Sequence, residues 1–384
     1  MWNPWKNQPA RDDKPSEPEV PDEIITREFA AEGSMLQLLT MDADTVITTG
    51  GENISVTVTG CRSELDKLVI DSINGLSIAS QRPNASVSIS ISVNSRSIWQ
   101  VLLAALFGNH EELLRVTGLG DKHRLKIRAT VPDGTDLVLR DYEGSAEADG
   151  VYGKVNANVS FDTVLWLNRV MSLSVNAGSG LDLTVQRVVE GDARIKAGYD
   201  SKVVIFGGAM ETLDLRTGSG ARVTVDALSN QVTAVGSYDC EFRLGTIRNL
   251  LKVNVGSGSV IYFETDEAEQ VQLDMSYDCT VKGMGAVRHV GIKAGSGAEI
   301  ILGSVTDRLD ADCSYDTKLA TTQGAGTNTV DVKMGSEADL RLIGSIQQGA
   351  IVTTYDASVA VGSLGQVRTS FGSDTDFATG YFTA

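Results

Sequence analysis

The 384-residue chain predicts an all-β fold: a single elongated parallel β-solenoid with turns of roughly 20 residues and a short helical insertion. Three observations predict it. Gly-Ser-Gly or a close variant begins at Gly178, Gly218, Gly256, Gly295, Gly335 (as Gly-Ser-Glu) and Gly372 (as Gly-Ser-Asp), and Tyr-Asp pairs stand midway between, at Tyr199-Asp200, Tyr238-Asp239, Tyr277-Asp278, Tyr315-Asp316 and Tyr355-Asp356. Each series recurs about every 39 residues, so one corner signal arrives every half period. Between corners run short stretches that alternate apolar with polar residues, the period-two signature of half-buried strands. The composition agrees, with 39 glycines and only 6 % aromatic residues, as many short strands separated by tight turns require.

The elements follow in order. Residues 1–24 hold five of the seven prolines amid charged and polar residues, too little apolar surface to offset the entropy of ordering, and are expected to form a disordered tail. Trp2 and Trp5 in that tail are candidates for contact with a partner or a membrane interface. From 34 to 136 the N-terminal turns are expected, with strands at Thr45–Thr48, Ile54–Val58, Leu68–Ile70 and Val87–Val93. Residues 97–120 break the rhythm. Ile98–Phe107 is apolar nearly all round and includes Trp99, Leu102, Leu103, Leu106 and Phe107, which predicts a helical insertion that caps the solenoid or meets a protein or lipid surface. Strands resume at Leu125–Val131, and the regular repeat is expected over 137–384.

In a representative pair of turns, Leu251–Val255 leads to the Gly256 corner, Ser259–Phe263 to a polar bend at Glu264–Glu267, and Val271–Met275 to the Tyr277-Asp278 corner. Equivalent corners of a solenoid stack at the inter-strand spacing of about 4.8 Å. Alternation therefore packs a tyrosine ring over glycine on the adjacent turns, and each following Asp is expected to accept hydrogen bonds from corner N–H groups. As an acidic ladder, Asp200, Asp239, Asp278, Asp316 and Asp356 recur at roughly 9.6 Å, too far apart for successive copies to share one calcium ion.

Charge and motif content narrow the function classes. A formal net charge of −17 disfavours nucleic acid and anionic lipid as partners. The four cysteines (Cys61, Cys240, Cys279, Cys313) form no Cys-x-x-Cys pair, and the three histidines (His110, His123, His289) have no metal-ligand spacing, so no cofactor or metal is expected. No Gly-x-Ser-x-Gly elbow or singled-out carboxylate pair marks a catalytic centre, so no catalytic residue is assigned. Met1–Lys6 is not followed by the roughly 7–15 apolar residues of a signal peptide. The expected location is the cytoplasm, at the inner face of the membrane if the tail or insertion docks there, or the cell surface if another export route operates.

Residues 40–380 resemble the bacterial auto-transporter adhesin head, or head-GIN domain, family. The resemblance is carried by Asn53–Val58, by the strand, Val-Pro, Gly, strand passage of Ile127–Leu137, and by the recurring corners Val255-Gly256-Ser257-Gly258 and Val235-Gly236-Ser237-Tyr238-Asp239. It implies a β-solenoid, usually at the envelope or surface, and supplies no catalytic residues. The expected function is a binding module for a surface polymer, carbohydrate or protein. A self-associating scaffold that grows end to end is the alternative.

Overall fold

The computed structural model describes residues 23–72, 75–80, 124–324 and 326–380. The expected tail with Trp2 and Trp5, the strand at Val87–Val93, and the insertion with Trp99, Leu102, Leu103, Leu106 and Phe107 lie outside them, apart from the last residues of the tail. The chain is a parallel β-solenoid. Its strands belong to one continuous hydrogen-bonded sheet, and the four-residue helix α1 (Arg62–Leu65) is the one helix among the described residues.

Among the described residues antiparallel pairing is confined to the first strands. β1 (Ile24–Ala31) runs antiparallel to β4 (Ile54–Cys61), and β4 antiparallel to β7 (Leu125–Val131). β5 (Leu68–Asp71) and β6 (Leu76–Ser80) form a third such pair. β2 (Met35–Leu39) and β3 (Asp42–Thr49) already pair in parallel with β8 (Thr135–Val159), so the parallel stack begins underneath this cap. β1 begins where the expected tail ends and went unrecognised in the sequence because both of its faces stay partly exposed, leaving little apolar alternation to read. Two buried tyrosines of β8 tie it to β3 at the start of the stack. The Tyr142 hydroxyl donates to a backbone carbonyl at Ala43 or Ser145 (2.7 and 2.6 Å), and that of Tyr152 faces the carbonyls of Ile47 and Asp149 at 3.0 Å. Burial pushes both phenols well above the usual tyrosine range.

Beyond β8 each turn pairs in parallel with the next. β9 (Val164–Ala177) lies on β8, and β10 (Asp182–Ala197) on β9. Later turns either divide into a short and a long strand, as in β16 (Val260–Thr265) and β17 (Ala268–Met275), or run as one continuous strand, as in β15 (Glu241–Val255). The long strand bends over an edge. In β17 the alternation of buried residues is interrupted by Glu269 and Gln270, neither of them buried, so the chain turns there without leaving the ladder. Inward residues stack in register from turn to turn: Val185, Ile205, Val225, Leu244, Phe263 and Gly283 form one such file. These files make a continuous apolar core along the axis.

The cysteines belong to this packing. Cys240 and Cys279 fill the first inward position after a corner, and their thiols donate to the Gly218 carbonyl (3.1 Å) and the Gly256 carbonyl (3.3 Å). Thr317 occupies the same slot on a later turn and donates to the Ser314 carbonyl at 3.0 Å. Cys240 and Cys279 stand two turns apart, roughly 9.6 Å, beyond the reach of a disulfide. Burial raises the Cys279 thiol and pushes that of Cys313 up to about 12. Cys240, Cys279 and Cys313 should therefore resist a thiol-specific chromogenic disulfide at pH 8 in the native protein and react fully after denaturation. Fast native-state reaction of all three would contradict this packing.

Candidate ligand-binding edge

Twelve successive corners share one geometry. The third residue of each lies in the left-handed region: Asp162, Gly180, Asp200, Gly220, Asp239, Gly258, Asp278, Gly297, Asp316, Glu337, Asp356 and Asp374, with φ between 52° and 75°. In all but the last, its N–H donates to the carbonyl of the second residue on the next corner, as from Asp239 to Ser257 (3.0 Å) and from Gly258 to Tyr277 (3.0 Å). This ladder sets the alignment. Tyrosine stacks in line with the serine of Gly-Ser-Gly, and aspartate in line with its final glycine.

Two expectations are corrected here. No hydrogen bond to a corner N–H is formed by the carboxylates of Asp200, Asp239, Asp278, Asp316 and Asp356; the hydroxyls of Ser179, Ser219 and Ser257 accept instead from the N–H groups of Tyr199, Tyr238 and Tyr277, at 3.1–3.4 Å. The aspartates serve sterically: Oδ1 of Asp162, Asp200, Asp239 and Asp278 lies 2.1–2.4 Å from where a Cβ would stand on Gly180, Gly220, Gly258 and Gly297. A side chain on one turn thus requires its absence on the next. The second correction concerns the acidic row, whose roughly 9.6 Å spacing ends near the C-terminus, where Glu337 and Asp374 occupy slots that glycine fills elsewhere. Tyr315 donates its hydroxyl to Glu337 Oε2 at 2.8 Å, and that carboxylate raises the phenol's pKa. Among the described residues no group of three or more His, Cys, Asp or Glu side chains is arranged to hold a metal ion.

The tyrosines do not disappear into the packing. Tyr199, Tyr238, Tyr277, Tyr315 and Tyr355 are 47–61 % exposed, and Phe161, one period earlier, is 66 % exposed. Two of the rings lean on the following corner, with Cδ1 of Phe161 and Tyr238 at 3.1 and 3.3 Å from a Cβ position on Gly178 and Gly256. The result is a file of six aromatic rings along one edge, on alternate turns.

Two further surfaces come from register and were not singled out in the sequence. On one sheet face a trough of about 670 Å³ includes Gly291 in its lining, where an added Cβ would meet nothing within 4 Å. Beside it Asp274, Lys293, Asp312 and Lys333 stand in line on successive strands. On another face, a hollow of about 680 Å³ contains Tyr262, with the Arg243 guanidinium 4.8 Å from the ring centroid. An outward glycine inside a strand was the one available signal for the trough. His289, the one histidine among the described residues, stands beside Asp307 (2.8 Å) on the bent edge. Hydrogen bonds from Asn328 and His289 hold the Asp307 carboxyl below its usual range.

No family model and no curated protein matches the chain. Solved structures resemble it over nearly their whole length. A crystal structure named as a putative adhesin from Parabacteroides merdae is 10 % identical, with 92 % of this chain and 96 % of that one covered and a TM-score of 0.31. One of the same description from Bacteroides fragilis is 10 % identical, with coverages of 92 % and 97 % and a TM-score of 0.21. A structure named as a putative lipid binding protein from Parabacteroides distasonis is also 10 % identical, covering 94 % and 96 %, with a TM-score of 0.19. The β-solenoid itself rests on the strand registers above and not on these likenesses.

Proposed function

We propose that this protein is a non-catalytic binding module that engages an extended surface polymer or protein along its aromatic corner edge. The observation that carries this is the file of six half-exposed rings. A folded chain with a core this continuous has every opportunity to bury aromatic side chains, and it buries Phe242 and Phe263 completely. Repeating the exposed position five times at a fixed period leaves apolar surface in a line, the arrangement suited to a partner that is itself long. End-to-end scaffolding has less support, because among the described residues the two terminal regions differ: antiparallel pairs at the start, a parallel edge strand, β26 (Asp376–Thr379), at the other end.

The test exploits the repeat. Serine already occupies the tyrosine position on alternate turns, so Tyr199→Ser, Tyr238→Ser and Tyr277→Ser together should leave the melting temperature within a few degrees. Wild-type protein is expected to co-sediment with purified bacterial envelopes, and the triple variant to lose most of that retention. Equal retention of both proteins, or none by either, would overturn the proposal.

A further inference from the structure

We infer that the aromatic edge takes an extended β-linked hexose polymer, neutral or amino-bearing, and stacks every second sugar on a ring. The inference rests on the binding-module proposal and assigns its ligand class. Its first support is spacing. Rings on alternate turns recur at twice the inter-strand distance, roughly 9.6 Å, which is close to the length of two hexose units in an extended β-(1→4)-linked ribbon. In such a ribbon consecutive sugars are flipped, so every second ring presents the same C–H face. An extended peptide does not match, because its side chains on one face recur about every 6.8 Å, twice the rise per residue, and fall out of step with the rings after the first contact.

Ring geometry is the second support. Phe161 and Tyr238 rest against glycine corners, and Phe161 and the five corner tyrosines keep 47–66 % of their surface open. A flat apolar face with a polar rim is what the C–H face of a pyranose can cover while its hydroxyls stay hydrated or find partners. Those partners are present between the rings. Ser179, Ser219 and Ser257 accept the tyrosine N–H groups, which leaves each hydroxyl hydrogen free to donate outward. Beside each tyrosine an aspartate carboxylate can accept from sugar hydroxyls or an amine.

Charge decides among polymers. Asp162, Asp200, Asp239, Asp278, Asp316, Glu337, Asp356 and Asp374 all follow the ring or serine positions along this edge, on a chain of net charge −17. A uronic-acid polymer, a nucleic acid or an anionic lipid surface would be repelled along the whole file. A neutral glucan or an amino-sugar polymer would not.

Calorimetric titration of the whole chain with β-(1→4)-linked glucose and glucosamine oligosaccharides of two to eight units tests this, with polygalacturonate as the acidic control. Affinity is expected to rise in steps of two sugars, several-fold per step, as each further ring is reached. Tyr199→Ser, Tyr238→Ser and Tyr277→Ser together should lower affinity for the octasaccharides at least tenfold, while Tyr→Phe at the same positions retains it. Absence of binding to both neutral and amino-bearing series, or preference for polygalacturonate, would overturn the inference. If the envelope retention described above is lost in the serine variant while no oligosaccharide binds, the edge is a binding surface and only the ligand class falls. If oligosaccharides bind wild type and serine variant alike, the edge itself is not the site.

Discussion

Phe263→Ala is expected to cost about 3–5 kcal/mol, the range for removing a buried phenylalanine from a packed core. Phe263 is 1 % exposed, and in its inward file it lies between Leu244 and Gly283. The ring fills the gap that the glycine leaves, since a Cβ on Gly283 would stand 2.3 Å from Phe263 Cζ. Truncation therefore opens a void that no side chain above can enter. Each turn of a solenoid touches only its neighbours, so the loss should concentrate in the turns next to β16. Amide hydrogen exchange read strand by strand measures it: protection should fall in β15 (Glu241–Val255), β16 and β18 (Thr280–Met284) and change little in β9. Gly283→Ala alone should overpack the file and cost about 1–3 kcal/mol. In the Phe263→Ala background it should cost less or stabilise, because the methyl then enters vacated space. Additive effects would show that ring and glycine do not complement each other.

Gly258→Ala is the second large effect, at about 2–3 kcal/mol, from two sources that a double-mutant cycle separates. Gly258 has a φ of +73°, where an alanine costs roughly 1–2 kcal/mol from crowding of its Cβ. The remainder comes from Asp239, whose Oδ1 would lie 2.2 Å from the new methyl carbon. With Asp239→Gly present, the penalty of Gly258→Ala should shrink to the backbone part alone. Denaturant titrations of the four proteins check this, and an unchanged penalty would remove the carboxylate from the account. Asp tolerates the left-handed region better than most residues with a Cβ, which is why it and not a larger side chain alternates with glycine here. At Glu337, where glycine is absent, the longer side chain reaches the Tyr315 hydroxyl.

Several features could be read from the residues in order. The 39-residue double period, the strands between corners and the buried place of cysteine all follow from local pattern. β-branched and apolar residues at alternate positions must face one side, and glycine or aspartate must mark the tight, left-handed corner. The antiparallel cap could not be read, since alternation looks the same whichever way the neighbouring strand runs. The trough at Gly291 was equally hidden, because Asp274, Lys293, Asp312 and Lys333 come into line only through the register of four strands.

The sequence by itself determined the length of the turn and the chemistry of its corners, because both are set by neighbours within a few residues along the chain. Which residue stacks on which was decided only by the tertiary structure. The corner hydrogen bonds place serine in line with tyrosine and glycine in line with aspartate, a pairing between residues about 20 positions apart. That same register leaves each aromatic ring about half exposed, since the side chain in line with it on the adjacent turn is a serine, too small to cover it.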